Sequence, residues 1–396
     1  MTTAANLSKF DLNKRILSVV IFTFFAYLSI GLPLAVLPQL IHEQLEFSSF
    51  VAGGVISVQY LATLLIRPKA GQWADTLGAR QVVLMGLGCC AASGLCSLLA
   101  ILFLSTPVLS LTLLILGRLF LGTGESLTST GSTLWGMNLV DRRETSRVIS
   151  WNGVATFSAM ALGAPLGVML GSYFSIYGFA VVTLLIGIFG FILAYRKPTI
   201  RVKVDTKIAF LKVASKVWIF GVGLALGTVG FGVISTFITL YFAEKHWANA
   251  AFALSIFSIG FVFIRLLLGQ VIPKFGGIKV SLFSFAVEAL GLFLIWGSDH
   301  IAFVYLGAFL VGAGFSLVFP SLGVEAVKQV EVENRGSALG VYNSFLDIAL
   351  MFIGPLAGLL IPLIGMQHLY GVAGLIVLSA VLLMGFLLYK SKRVAP

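Results

Sequence analysis

The chain has 396 residues, 59% of them hydrophobic and 10% charged, with a formal charge of +11. A soluble domain carries about 25% charged residues, so there is too little polar surface here to coat a water-soluble globule. No soluble segment bears a basic patch, which excludes a nucleic-acid binder, and Cys89, Cys90 and Cys96 share one apolar run with neither metal spacing nor a disulfide framework.

Apolar runs long enough to span a bilayer recur from end to end. They are continuous, not alternating, which predicts helices and excludes a barrel. In chain order the spans fall at 16–41, 50–70, 81–104, 108–138, 146–170, 172–195, 217–241, 249–272, 279–297, 301–322, 337–362 and 367–389. The first is too long for the core of a secretory signal, and no convincing cleavage site follows it. The segment from Arg196 to Lys216 carries seven Lys and Arg residues against one acid, Asp205, and reads as a linker. The expected organisation is all-α: a six-helix bundle at 1–195, a cytoplasmic linker at 196–216 and a second six-helix bundle at 217–396.

Charge placement sets orientation. With the N-terminus cytoplasmic, 24 of the 26 Lys and Arg residues fall in cytoplasmic segments; Arg118 lies within a span and Lys245 outside. Both termini are therefore expected in the cytoplasm.

The two halves repeat. Leu116–Leu127, which contains Arg118, Gly122, Gly124 and Glu125, aligns with Leu306–Leu317. Arg67-x-x-x-Gly71-Gln72 aligns with Arg265-x-x-x-Gly269-Gln270, and Pro165 with Pro355. Duplicated halves place a substrate site at their interface near the midplane.

Span 4 holds Arg118 and, seven residues on, Glu125. Two turns of helix put both on one face, about 10 Å apart, too far to pair directly. A mid-membrane charge costs about 2.5–3.5 kcal/mol on insertion scales, so each needs water, substrate or another span. Asp347 in span 11 is a further acid near the midplane, and Glu288 in span 9 a third. Gln59, Asn152, Tyr342 and Asn343 are the polar residues expected to touch substrate, with Tyr27, Trp151 and Phe231 as aromatic walls. Trp135 and Trp218 are expected at the cytoplasmic interface. His42, His246, His300 and His368 scatter one per external end, which does not make a metal site, and no cofactor is expected.

Between spans 2 and 3 lies Gly71-Gln72-Trp73-Ala74-Asp75-Thr76-Leu77-Gly78-Ala79-Arg80. The two glycines permit a tight reversal, and Asp75 just before span 3 suits a helix N-terminus. Gly71, Ala74, Asp75, Gly78 and Arg80 match the signature loop of the major facilitator superfamily, which the chain resembles over its whole length; Thr76 and Ala79 depart from it where basic residues are usual. The resemblance implies a twelve-helix fold of two pseudo-symmetric bundles. It implies that Gly71, Asp75, Gly78 and Arg80 form a cytoplasmic gate, with Asp141 or Arg142 as partners, and that Arg118-x-x-x-Gly122-x-Gly124 is a motif associated with proton coupling. Arg118, Glu125 and Asp347 are the proton-coupling candidates. Gly163-Ala164-Pro165-Leu166-Gly167 matches the glycine-rich motif of the superfamily's exporters only weakly.

No nucleotide-binding motif and no clustered catalytic constellation is present, so the expectation is a secondary transporter and not an enzyme. Its partners are a small-molecule substrate, protons and the lipid bilayer, and its expected state is a monomer in the bacterial inner (plasma) membrane. Proton-coupled efflux of a small organic compound or drug by alternating access is the leading reading. The alternative is proton-coupled uptake of a sugar or small organic acid.

Overall fold

The computed structural model describes residues 9–34, 36–140, 144–198, 210–268, 271–331 and 335–394. Every regular element among them is helical. The first is α1 (Lys9–Leu34), followed by a short α2 (Leu37–Gln39) that runs into a π-helical turn at Leu40–Gln44. Then come α3 (Ser49–Thr76), α4 (Ala79–Leu102), α5 (Pro107–Leu139), α6 (Thr145–Phe174) and α7 (Tyr177–Tyr195). The remainder are α8 (Phe210–Glu244), α9 (Ala250–Leu268), α10 (Val271–Phe275), α11 (Gly277–Trp296), α12 (Ile301–Lys328), α13 (Arg335–Ile364) and α14 (Met366–Val394).

Among the described residues, eleven helical segments are long and apolar enough to cross a membrane. The predicted span at 249–272 is shorter, with its apolar stretch at Phe252–Leu268. At 19 residues α9 is about 28 Å long, close to the hydrocarbon thickness of a bilayer.

Local chemistry sets the boundaries. The first predicted span falls within one membrane-length helical segment, Phe10–Gln44, with Pro38 in its α2 part. A proline supplies no N–H to the ladder and its ring crowds the carbonyl four residues back. Pro107 opens α5, where its missing N–H costs nothing. His300 caps α12, its Nδ1 accepting from the Ala302 N–H at 3.3 Å. The reversals before α4 and α11 each turn on a glycine, Gly78 at φ 98° and Gly276 at φ 84°, in the left-handed region where a Cβ is strained. Gly71 takes no part in the first reversal, because it lies inside α3. Asp75 likewise falls in the last turn of α3, not at the start of α4.

Backbone contacts divide the chain into two compact units, residues 1–46 with 58–205, and 47–57 with 206–396. In the first unit α1 packs against α5, α6 and α7, and α4 against α5 and α7. In the second, α8 packs against α12, α13 and α14, and α11 against α12 and α14. The same neighbours recur in the same order, so the repeat in sequence is also a repeat in packing.

Lipid tails are as apolar as leucine, so small residues that let backbones approach hold such helices together. Gly31 of α1 lies against Gly163 of α6, and Gly291 of α11 against Gly307 of α12. Trp135, expected at the membrane interface, is instead a core residue: it is 1% exposed and stacks on Phe22 at 5.9 Å. Its ring fills the space beside Val19, Val83 and Leu87. Trp218 is exposed.

Candidate functional site

The site in the first unit begins with a glycine. A Cβ on Gly122 of α5 would strike the backbone carbonyl of Gln59 on α3. The missing side chain is what lets the two helices approach this closely. Arg118 stands about one turn before Gly122 and Glu125 about one turn after it, so the crossing aims both at the α3 face that carries Gln59 and Thr63.

The Gln59 amide bridges the pair. Arg118 Nη1 donates to Gln59 Oε1 at 2.7 Å, and Gln59 Nε2 donates to Glu125 Oε2 at 3.3 Å. Thr63 Oγ1 lies 3.1 Å from Glu125 Oε2, and equally 3.1 Å from the carbonyl oxygens of Gln59 and Gly122. Its single proton serves one of these acceptors at a time. Arg118, Glu125, Gln59 and Thr63 are all buried. Nε and Nη2 of Arg118 have no hydrogen-bond partner among the described residues.

Chemically this is a short relay of buried polar side chains. With Glu125 ionised, Gln59 and Thr63 can both donate to its Oε2. With Glu125 protonated, its O–H can donate to Thr63, whose own proton then turns to a backbone carbonyl. One proton thus reverses a hydrogen bond between α5 and α3. Sequence reading anticipated that Arg118 and Glu125 share a face and need an intermediary. It missed Thr63, whose signal was its position one helical turn after Gln59.

The second unit lacks this cluster. By the repeat, Phe257 stands for Gln59, Ala308 for Arg118 and Phe315 for Glu125, and Gly312 packs on the Phe257 carbonyl as Gly122 packs on that of Gln59. Phe231 stacks on Phe315 at 5.3 Å and lies 5.9 Å from Phe257. An aromatic stack therefore occupies the place of the polar relay.

The other predicted site residues are placed as follows. Asp347 is buried on α13 of the second unit, and Tyr27 on α1 of the first. Asn152 accepts from Thr23 Oγ1 at 2.7 Å, joining α6 to α1. Trp151 Nε1 donates to Asn13 Oδ1 at 3.2 Å, and its ring packs with Ile16, Val20 and Val148. Tyr342 is buried, its hydroxyl donating to the Phe319 carbonyl at 3.0 Å. Asn343 Oδ1 has no hydrogen-bond partner among the described residues.

In the loop motif, Arg80 reaches the C-terminal end of α7. It bonds the carbonyls of Ala194 and Tyr195 and lies 5.2 Å from the centre of the Tyr195 ring. A cation suits the exposed carbonyls at a helix C-terminus. The side chain of Asp75, the expected partners Asp141 and Arg142, and linker residues 199–209 lie outside the described residues. An apolar cavity of about 270 Å³ lies in the second unit among α8, α13 and α14, lined by residues such as Ala225, Val229, Ile353 and Leu369 and by none of the predicted site residues. No three His, Cys, Asp or Glu side chains gather as a metal site among the described residues.

Membrane-length helices in two like-packed units, with a charged relay buried in one, define a membrane carrier of the duplicated-repeat class. A family model described as Major Facilitator Superfamily matches residues 19–322 and, in a second match, 223–396. The MFS-type transporter YhhS of Escherichia coli (strain K12) is 47% identical over 372 residues, covering 94% of this chain and 92% of that protein. An MFS-type transporter of Burkholderia pseudomallei (strain 1106a) is 45% identical over 392 residues, covering 98% and 95%. Among solved structures, a D-xylose-proton symporter aligns with a TM-score of 0.75 at 15% identity, covering 93% of this chain and 97% of that one. The nucleoside transporter NupG aligns with a TM-score of 0.73 at 15% identity, covering 93% and 98%. At that identity the likeness carries the fold alone. The chain belongs to the major facilitator superfamily and is a secondary transporter.

Proposed function

We propose that this protein exports a small organic compound in exchange for protons by alternating access, in the bacterial inner membrane, with both termini cytoplasmic. The observation that carries the reading is the buried Arg118–Gln59–Glu125 relay. Its geometry gives one carboxyl two alternative hydrogen-bond arrangements that differ by a proton. Glu125 is the proton carrier on the first unit, Arg118 sets its charge balance through Gln59, and Asp347 is the second carboxyl tested. Gly78 and Arg80 belong to the cytoplasmic gate, together with Gly71 and Asp75. The orientation rests on the placement of 24 of 26 Lys and Arg residues on one side.

Substrate is identified first, by comparing metabolites retained by cells with and without the protein. Everted vesicles then separate direction: an antiporter loads substrate when the lumen is acidified. Glu125→Gln and Asp347→Asn are each expected to abolish loading driven by the pH gradient. If both transport down the gradient as well as the parent, the carrier assignment is wrong.

A second reading is proton-coupled uptake of a sugar or small organic acid. The fold shared with a D-xylose-proton symporter is compatible with it. Under that reading luminal acid does not drive loading of everted vesicles.

A further inference from the structure

The second unit hides a carboxyl that the relay does not use. Glu288 of α11 is 0% exposed, and neither of its carboxyl oxygens has a hydrogen-bond partner among the described residues. Two glycines make the room for it. A Cβ on Gly230 of α8 would strike Glu288 Oε1, and a Cβ on Gly314 of α12 would come within 2.6 Å of the Glu288 backbone nitrogen.

The repeat explains the position. Gly314 corresponds to Gly124, and Gly124 packs on Gly86 and Cys90 as Gly314 packs on Ser284 and Glu288. Glu288 therefore stands where the first unit has Cys90. Beside this glycine contact each unit buries a glutamate, Glu125 on α5 in the first and Glu288 on α11 in the second. In the first unit the acid has Gln59 and Thr63 beside it; in the second the place of Gln59 is taken by Phe257.

Among the described residues no ionisable side chain stands in for a partner. On α12 the nearest are Tyr305 and Glu325, nine residues before and eleven after Gly314. On α8 they are Lys216 and Tyr241, fourteen residues before and eleven after Gly230. On α14, whose Gly374 packs on Phe293, they are Tyr370 and Tyr389, and on α11 itself Lys279. At 1.5 Å per residue these lie about 12 Å or more along the helix axes. An ionised carboxylate isolated in apolar packing is so costly that the group takes up a proton instead.

We propose that Glu288 is a second proton-binding site, occupied while α8, α11 and α12 are packed as they are here. It is separate from the relay, and it stands or falls independently of whether Glu125 carries the transported proton.

The test is infrared spectroscopy of the purified full-length protein in lipid nanodiscs at neutral pH. It follows the C=O stretch of protonated carboxyl groups, with glutamate-specific carbon-13 labelling to separate Glu from Asp. The expected result is a glutamic-acid band that persists in Glu125→Gln and is lost in Glu288→Gln. A band unchanged by Glu288→Gln, or no glutamic-acid band in the labelled Glu125→Gln protein, overturns the proposal. The second measurement holds even if Glu288→Gln does not yield folded protein. Failure of the relay reading would appear instead as pH-driven transport by Glu125→Gln, which leaves this band untouched.

Discussion

Replacing Gln59 by leucine removes the bridge of the relay while keeping its bulk. The lost Arg118–Gln59 bond is charge-assisted and is worth about 1.5–3 kcal/mol. Arg118 already has two nitrogens without a described partner, so the variant leaves a buried guanidinium with none of its described bonds. Breaking a buried charged pair by removing one side costs about 3–5 kcal/mol. The lower end applies here, since Gln59 is neutral, and the expected loss is about 3 kcal/mol. Removing the charge as well relieves it: in Gln59→Leu/Arg118→Met no buried donor is stranded, and at least half of the loss returns. The assay is equilibrium unfolding in mixed micelles titrated with SDS, followed by tryptophan fluorescence, for the parent, both single variants and the double. The expected coupling is about 1.5 kcal/mol or more. A coupling below about 0.5 kcal/mol, the level of independent sites, would refute the bridge.

The same unfolding assay reads three further predictions. Gly122→Ala costs about 3 kcal/mol, because its methyl meets the rigid carbonyl of Gln59; Gly88→Ala, with nothing within 4 Å of the new methyl, is neutral or stabilising. Arg80→Ala costs about 1–2 kcal/mol through the lost carbonyl bonds and the Tyr195 contact, and Arg80→Lys recovers less than half, since lysine lacks the planar fork. Lys245, 2.7 Å away, bonds Asp299 and holds its carboxyl below the usual aspartate range. A lowered folded value means the contribution is present above the ordinary aspartate pKa of about 3.9 and is lost as pH falls through the folded value. Asp299→Asn therefore unfolds at slightly lower SDS at pH 7, as suits an exposed pair, and the difference from the parent disappears in acid.

The sequence by itself determined the membrane class, the helical content, the repeat and the shared face of Arg118 and Glu125. These follow from one-dimensional quantities: run length, helical period and the low tolerance of hydrocarbon for charge. It put the reversal between spans 2 and 3 on two glycines, of which only Gly78 takes the positive φ while Gly71 lies inside α3. What it could not supply was where one helix crosses another. The Gln59 bridge exists because Gly122 meets α3 at the Gln59 carbonyl, and spacing along α5 holds no information about α3. Trp135 became a core residue for a similar reason: its ring faces Phe22 of α1, a neighbour fixed by packing. The kinship of Cys90 and Glu288 was invisible in their side chains, which share no chemistry. It emerged only when Gly124 and Gly314 were seen to press on the same point of the neighbouring helix. Hydropathy decides which residues enter the bilayer, but only the crossings, set by where backbones can touch, decide which of them meet.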